Sequence, residues 1–338
     1  MTSDLSSERL TEWHGVPRVR LATLPTPLER GPLVGNGVRL WVKRDDLTGL
    51  GMGGNKARKL EFLCGDAVRN GSRALITVGA GQSNHCRMTA AAGSLLGLET
   101  HLVLAGDRPD RLEGNQLLSD RFGAHMHFTG AGPSEWGVLE IAREALTDEL
   151  AAQKLVPYSI PIGGSTHVGA LGYVLAYDEI VEQCTSTGFT PGAIVFTSSS
   201  GGTHAGLVAG RAWRRALGLA HPPVIAIGVA KGVVAGFPSV EQLANEALQL
   251  AGLPGRVEAA DVDVDARWLG ADYAIATPES TDAADWAART GAWVLDAVYT
   301  AKGMAGLLGN AADGRWASGD NVVWIHTGGQ PEVFVHHD

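Results

Sequence analysis

Short β-rich runs, each followed by a glycine-rich turn and then a longer helical stretch, recur along the whole chain. Few folds accept that order. A strand, a helix and a second strand so close in sequence form a βαβ unit, whose parallel strands need the helix as a right-handed crossover. Ala74-Leu75-Ile76-Thr77-Val78 reads as a buried strand, 79–84 as a loop and 85–96 as a helix of small residues, with the next strand at 101–104. Further strands are expected at 125–128, 193–197, 224–229, 293–295 and 322–326. The expected class is α/β with mostly parallel, twisted sheets.

The 338 residues suit about two domains with a cleft between them. Glycine is the compositional outlier: 45 residues, roughly twice average usage, with no collagen period. Such an excess points to tight loops or to close approaches between backbone and ligand. The net charge of −9 repels phosphodiester backbones and anionic membranes, so neither nucleic acid nor membrane is an expected partner. Cys64, Cys86 and Cys184 are odd in number, widely spaced and outside any zinc motif. A reducing compartment, the cytoplasm, is therefore expected, and no metal site. The amino-terminal stretch lacks a signal-peptide core, and no apolar run approaches the ~18 residues of a membrane helix. His336-His337-Asp338 reads as a solvated chain end.

Several segments could carry chemistry. Leu60, Leu63, Cys64 and Ala67 mark one apolar helical face, which puts Lys56 near a helix start, behind the glycine-rich stretch 49–55. A helix N-terminus disfavours an ammonium, and a neutral amine is what a Schiff base requires. By itself the segment reads first as an ordinary solvated lysine capping a helix. Ser198-Ser199-Ser200-Gly201-Gly202-Thr203-His204 lies between a strand and a helix, where converging N–H groups, hydroxyls and the helix dipole suit a phosphate. It lacks the ending of a nucleotide P-loop and the Gly-x-Gly-x-x-Gly spacing of a dinucleotide site. Gly79-Ala80-Gly81-Gln82-Ser83-Asn84-His85 is a second strand-to-helix loop, able to bind a carboxylate or simply to cap its helix. A Schiff-base lysine, a phosphate cradle without nucleotide motifs and a carboxylate-binding loop together match pyridoxal 5′-phosphate with a small amino-acid substrate.

Five ordered motifs then carry a resemblance over nearly the whole chain: Gly-Gly-Asn-Lys56, Gln-Ser83-Asn84-His85-x-Arg87, Gly202-Thr203-His204-Ala205-Gly206, Val298-Tyr299 and His326-Thr327-Gly328-Gly329. The sequence resembles the D-cysteine desulfhydrase and 1-aminocyclopropane-1-carboxylate (ACC) deaminase family of fold type II pyridoxal-phosphate enzymes. The resemblance implies two three-layer α/β/α domains: a small one at 55–164, and a large cofactor-binding one formed by 1–54 and 165–338, usually within a homodimer. It makes Lys56 the Schiff-base lysine and Asn84 the partner of the cofactor's phenolic oxygen. Ser200, Gly201, Gly202 and Thr203 become the phosphate loop, and Ser83, Asn84 and His85 the segment receiving the substrate carboxylate. Tyr299 and Tyr273 match active-site tyrosines.

Two positions discriminate within this family. Thr300 and Thr327 stand where D-cysteine desulfhydrases carry threonine, whereas ACC deaminases carry glutamate and leucine. A neutral hydroxyl near the pyridine nitrogen supports a weaker electron sink than a carboxylate, which suits expulsion of a good β-leaving group more than opening of a cyclopropane. The implied reaction is β-elimination from D-cysteine to pyruvate, hydrogen sulfide and ammonia. Elimination from another amino acid such as L-cysteate, ACC deamination, and a non-enzymatic cofactor store or sensor are the alternatives. The chain departs from the family pattern at Ala297, Ala301 and 274–280, the last beside the substrate.

Overall fold

The computed structural model describes residues 9–132, 134–236, 238–272 and 274–336. Strands β1 (Leu10–Trp13) and β2 (Val16–Val19) form an antiparallel hairpin. A six-stranded sheet has the order β11-β10-β9-β12-β4-β3. Its members are β3 (Leu28–Val34), β4 (Val38–Lys43), β9 (Ala193–Ser198), β10 (Val224–Gly228), β11 (Asp263–Asp265) and β12 (Asn321–Ile325). Only β3 runs antiparallel to its neighbour. A four-stranded, wholly parallel sheet has the order β7-β6-β5-β8, from β5 (Ala74–Gly79), β6 (Glu99–Leu104), β7 (His125–Phe128) and β8 (Pro157–Ile160).

Both sheets are covered on two faces, which is why β5 and β9 are buried along their whole length and read as nearly continuous apolar runs. The helices used below are α1 (Lys56–Arg69), α2 (Asn84–Leu96), α3 (Gly114–Arg121), α4 (Trp136–Ala152), α5 (His167–Ser186), α6 (Gly202–Ala216), α7 (Val240–Leu250), α8 (Pro278–Gly291) and α9 (Thr300–Ala312). Alternate residues of β9 divide between two cores. Ile194 and Phe196 join α5, α6 and α7, while Val195 joins α8 and α9. In the smaller sheet Leu102 and Leu104 face α2, and Val103 faces Leu139 of α4. The apolar face of Leu60, Leu63, Cys64 and Ala67 is fully buried.

The expected strand at 293–295 does not form. Trp293 and Leu295 are buried around an exposed Val294, so the segment alternates like a strand, but no neighbouring ladder receives it. Among the described residues no helix is long and apolar enough to cross a membrane. Beneath the fold lies a buried ionic network. Arg58 donates to both oxygens of Asp45 at 2.8 Å and to both oxygens of Glu179 at 2.9 and 3.0 Å. Tyr173 donates to Asp45 at 2.5 Å, and Lys43 pairs with Glu179.

Candidate active site

A cavity of about 340 Å³ opens between the two sheets, beyond the carboxyl ends of β5 and β9, where open parallel sheets bind ligands. Its wall includes Lys56, Ser83, Asn84, His85, Ser200, Gly201, Thr203, Tyr299 and Thr327. All five motifs found in sequence, which span residues 53–329, thus meet at one place.

Lys56 is the first residue of α1. The glycine stretch before it lets two loops touch: a Cβ on Gly328 would lie 2.7 Å from Gly54 Cα, and one on Gly53 would lie 1.9 Å from the Asp46 carbonyl oxygen. Asn55 N–H donates to the Thr327 carbonyl at 2.9 Å, fixing the start of the helix against the turn after β12. Burial lowers the Lys56 amine from its ordinary value to about 8, so a substantial neutral fraction is available near neutrality. Among the described residues it has no hydrogen-bond or ion-pair partner. Competing lysines are engaged elsewhere: Lys43 with Glu179, and Lys302 with the Leu269 carbonyl at 2.7 Å.

At one end of the cavity the β9–α6 turn is shaped around a small volume. Gly201 caps α6 with φ +82°, and the N–H groups of the first turn face the end of the helix. A Cβ on Gly202 would meet Lys59 Nζ at 2.7 Å and Ser165 Cα at 2.8 Å. Ser165 donates to Ser200 Oγ at 2.9 Å and accepts from Gly202 N–H at 3.3 Å, and Asn55 donates to Thr203 Oγ1 at 3.2 Å. Lys59, wholly buried, has the Gly163 carbonyl at 3.1 Å as its hydrogen-bond acceptor. Burial, with Lys56 beside it, holds its amine well below the ordinary range.

The other end is built from side chains. Ser83 caps α2, accepting from Cys86 N–H at 3.1 Å, and also lines the cavity. Asn84 accepts from Arg87 at 3.3 Å. His85 differs from its expected part. The Thr77 hydroxyl donates to the Ile160 carbonyl at 3.0 Å, so the His85 Nε2 contact at 2.9 Å places the imidazole proton on Nε2 and leaves Nδ1 a lone pair. Burial, then Lys56 and Lys59, keep His85 neutral. It therefore presents an acceptor, where a carboxylate would need a donor.

Thr300 also differs: it is fully buried behind the wall, accepting from Asp296 N–H at 2.9 Å and donating to Asp296 Oδ2 at 2.6 Å. Asp296 itself lines the cavity and accepts from Tyr299 N–H at 2.6 Å; burial pushes it up to about 6. Tyr273 lies outside the described residues. Sequence reasoning missed Lys59, Ser165, Asp296 and Trp136. Only Lys59 left a signal, lying three residues after Lys56 on the same helical face.

Residues 19–328 match the family described as pyridoxal-phosphate dependent enzyme. This chain belongs to that family. Among curated relatives, D-cysteine desulfhydrase of Salmonella typhi is 38% identical over 333 residues, covering 95% of this chain and 96% of the relative. The enzyme of the same name from Salmonella choleraesuis (strain SC-B67) is 37% identical over the same shares. The crystal structure of an ACC deaminase homologue superposes with TM-score 0.84 at 34% identity, covering 99% of this chain and 97% of the other. A fungal L-serine ammonia-lyase from Rhizomucor miehei shares the fold, with TM-score 0.65 at 17% identity over 92% and 95% of the two chains.

The cavity of this pyridoxal-phosphate dependent enzyme fits its cofactor. Two buried polar atoms on the wall, Ser198 Oγ and His85 Nδ1, have no partner among the described residues. Glycine at 202 lets the start of α6 pack directly against Lys59 and Ser165, where any side chain would clash, and Lys59 supplies a buried amine beside that helix end. A phosphate there would favour the protonated form of that amine and accept from the helix N-terminus. Lys56 stands in the same cavity with the amine that an aldehyde needs.

Proposed function

We propose that the chain catalyses β-elimination from a small amino acid, D-cysteine, giving with water pyruvate, hydrogen sulfide and ammonia. The observation that carries this reading is the convergence of an unpartnered Lys56 amine, the serine- and glycine-rich β9–α6 turn at a helix N-terminus and the Ser83–Asn84 segment in one cavity. The substrate name comes from relatives matched over nearly the full chain. When bound, the cofactor supplies an aldehyde for the substrate amine and an electron-withdrawing ring that acidifies the Cα proton.

The residues of the chain divide the remaining work. Ser200, Gly201, Gly202, Thr203 and Lys59 hold the phosphate. Ser83, with the first N–H groups of α2, receives the substrate carboxylate, and Asn84 meets the phenolic oxygen. The Lys56 amine, its proton affinity lowered by burial, takes the Cα proton, and thiolate departs from Cβ with the bonding pair. Tyr299 faces the substrate end and orients the leaving group. Thr300 acts at one remove, through Asp296, and Thr327 lines the substrate side.

We further propose a small domain at 55–164 and a homodimer, as the resemblance implies, and a cytoplasmic enzyme. Supporting these, the four-stranded sheet lies wholly within 74–160, and all three cysteines are free and buried. The test of function is a side-by-side assay of D-cysteine, L-cysteine, L-cysteate, D-serine and ACC. Pyruvate and sulfide should form fastest from D-cysteine, with little 2-oxobutyrate from ACC. Rapid ACC turnover with inert D-cysteine overturns the reading.

A further inference from the structure

Away from the cavity, β6 and β7 pair in parallel with His101 opposite His125 and Val103 opposite His127. Side chains alternate across a strand, so Glu99, His101, His125 and His127 share one face of the sheet. Met126 and Phe128 on the opposite face pack into the α2 core, which fixes the register and holds the histidines where they are. Ligand atoms of Glu99, His101 and His125 all lie within 4.8 Å of one another. Glu99 Oε1 is 2.9 Å from His101 Nε2 and 3.4 Å from His125 Nε2.

These separations suit a metal. Bonds of ~2.0–2.1 Å in tetrahedral geometry put ligand atoms about 3.3 Å apart, so small side-chain shifts would admit an ion among the three. The next shell is also present. His101 Nε2 faces Glu99 Oε1 at 2.9 Å, where an ion would take the place of the shared proton, and His101 Nδ1 lies 3.1 Å from His127 Nε2, to which it would then donate. His101 stacks between its neighbours, 4.8 Å from the His125 ring and 5.4 Å from the His127 ring, at 22° and 20°. Its side chain is only 7% exposed, whereas His125 at 57% leaves a path for ion and water.

We infer that Glu99, His101 and His125 form a binding site for one divalent transition-metal ion, zinc first, with His127 as its orienting partner and water in the fourth position. Two imidazoles and one carboxylate select zinc, nickel or copper over calcium or magnesium, which prefer oxygen alone. The site joins β7, an edge strand, to β6 by a bridge between side chains. It stands at the amino end of β6, on the order of 15 Å along the strand from the end facing the cavity. Its role is structural: the ion clamps the sheet edge without touching the reacting atoms.

The test is zinc chloride titrated into holoenzyme by calorimetry, in a His336→Ala/His337→Ala background that removes the chain-end histidines. One ion per chain should bind and raise the thermal midpoint. His125→Ala, at an exposed position, and Glu99→Gln should each weaken zinc binding by about tenfold or more, with turnover unchanged. His127→Gln should weaken it less. X-ray absorption of the zinc form should show two imidazoles among nitrogen and oxygen neighbours. Zinc binding unchanged in both His125→Ala and Glu99→Gln, or no saturable binding to the parent, overturns the site.

Discussion

Lys56, Arg58 and Lys59 stand within the first turn of α1, yet they serve two different regions. Arg58 enters an interior network in which every charge has a partner, its guanidinium shared between Asp45 and Glu179. There Asp45, although burial pushes its carboxyl up, is held below the ordinary carboxylate range by Arg58. Lys56 lines the cavity and Lys59 lies buried behind the Gly163 wall; neither forms an ion pair among the described residues, and burial lowers both amines. One region satisfies its charges from within the protein and so encodes structure. The other leaves its charges for a ligand to complete.

The largest effect that would test this contrast is at Lys56. Lys56→Ala should lower turnover by about a thousandfold or more while leaving the melting temperature near that of the parent. Borohydride reduction and peptide mapping of the parent should place the pyridoxyl group on Lys56; a label on Lys43, Lys59 or Lys302 would break the assignment. Next in size is Arg58→Met, which strands Asp45 and Glu179 in the interior. It should cost about 3–5 kcal/mol in urea unfolding, and a loss below ~1 kcal/mol would show that the network is not a structural element.

Lys59→Met sharpens the comparison because its effect should change sign with the cofactor. In the cofactor-free protein it removes an uncompensated buried amine, so stability should hold or rise. Cofactor affinity should fall by about ten- to a hundredfold, the worth of a charge-assisted hydrogen bond. Equal destabilisation with and without cofactor would place Lys59 in the structural class beside Arg58. The smallest effect concerns pH. Between the folded value of about 8 and the ordinary 10.5, the unfolded chain holds the Lys56 proton and the folded chain does not. Stability of the cofactor-free protein should therefore rise with pH across that window, with Lys59 adding the same sign, and the slope vanishes where both states are protonated. Lys56→Met should flatten the rise in urea midpoints measured from pH 8 to pH 10.

Much of the site was legible because its parts are local. The loops 79–84 and 198–201 join a buried strand to a helix within a few residues, so hydroxyls, glycines and helix N-terminus are adjacent in sequence. What depends on partners distant in sequence was not legible. β3 and β4 mix charged and apolar residues at a sheet edge, and neither shows the unbroken apolar run of β9. Trp293 and Leu295 alternate correctly but find no ladder. Asp296 left no signal in the sequence, since its place depends on Tyr299 and Thr300 folding back onto it. Its contact with Thr300 recasts the neutral-hydroxyl reading, since that hydroxyl donates to a carboxylate. Glu99, His101 and His125 are assembled by strand register, which no spacing along the chain announces.

The contact of Gly54 with Gly328, with the Asn55 to Thr327 hydrogen bond beside it, is the point where the two walls of the cavity meet backbone to backbone. In mechanical terms it is a fulcrum. When one body turns about such a point, each atom travels in proportion to its distance from the axis. Lys56 sits two residues from Gly54, on a short arm of any turn about this contact. Any such turn would leave the aim of the reactive amine nearly unchanged.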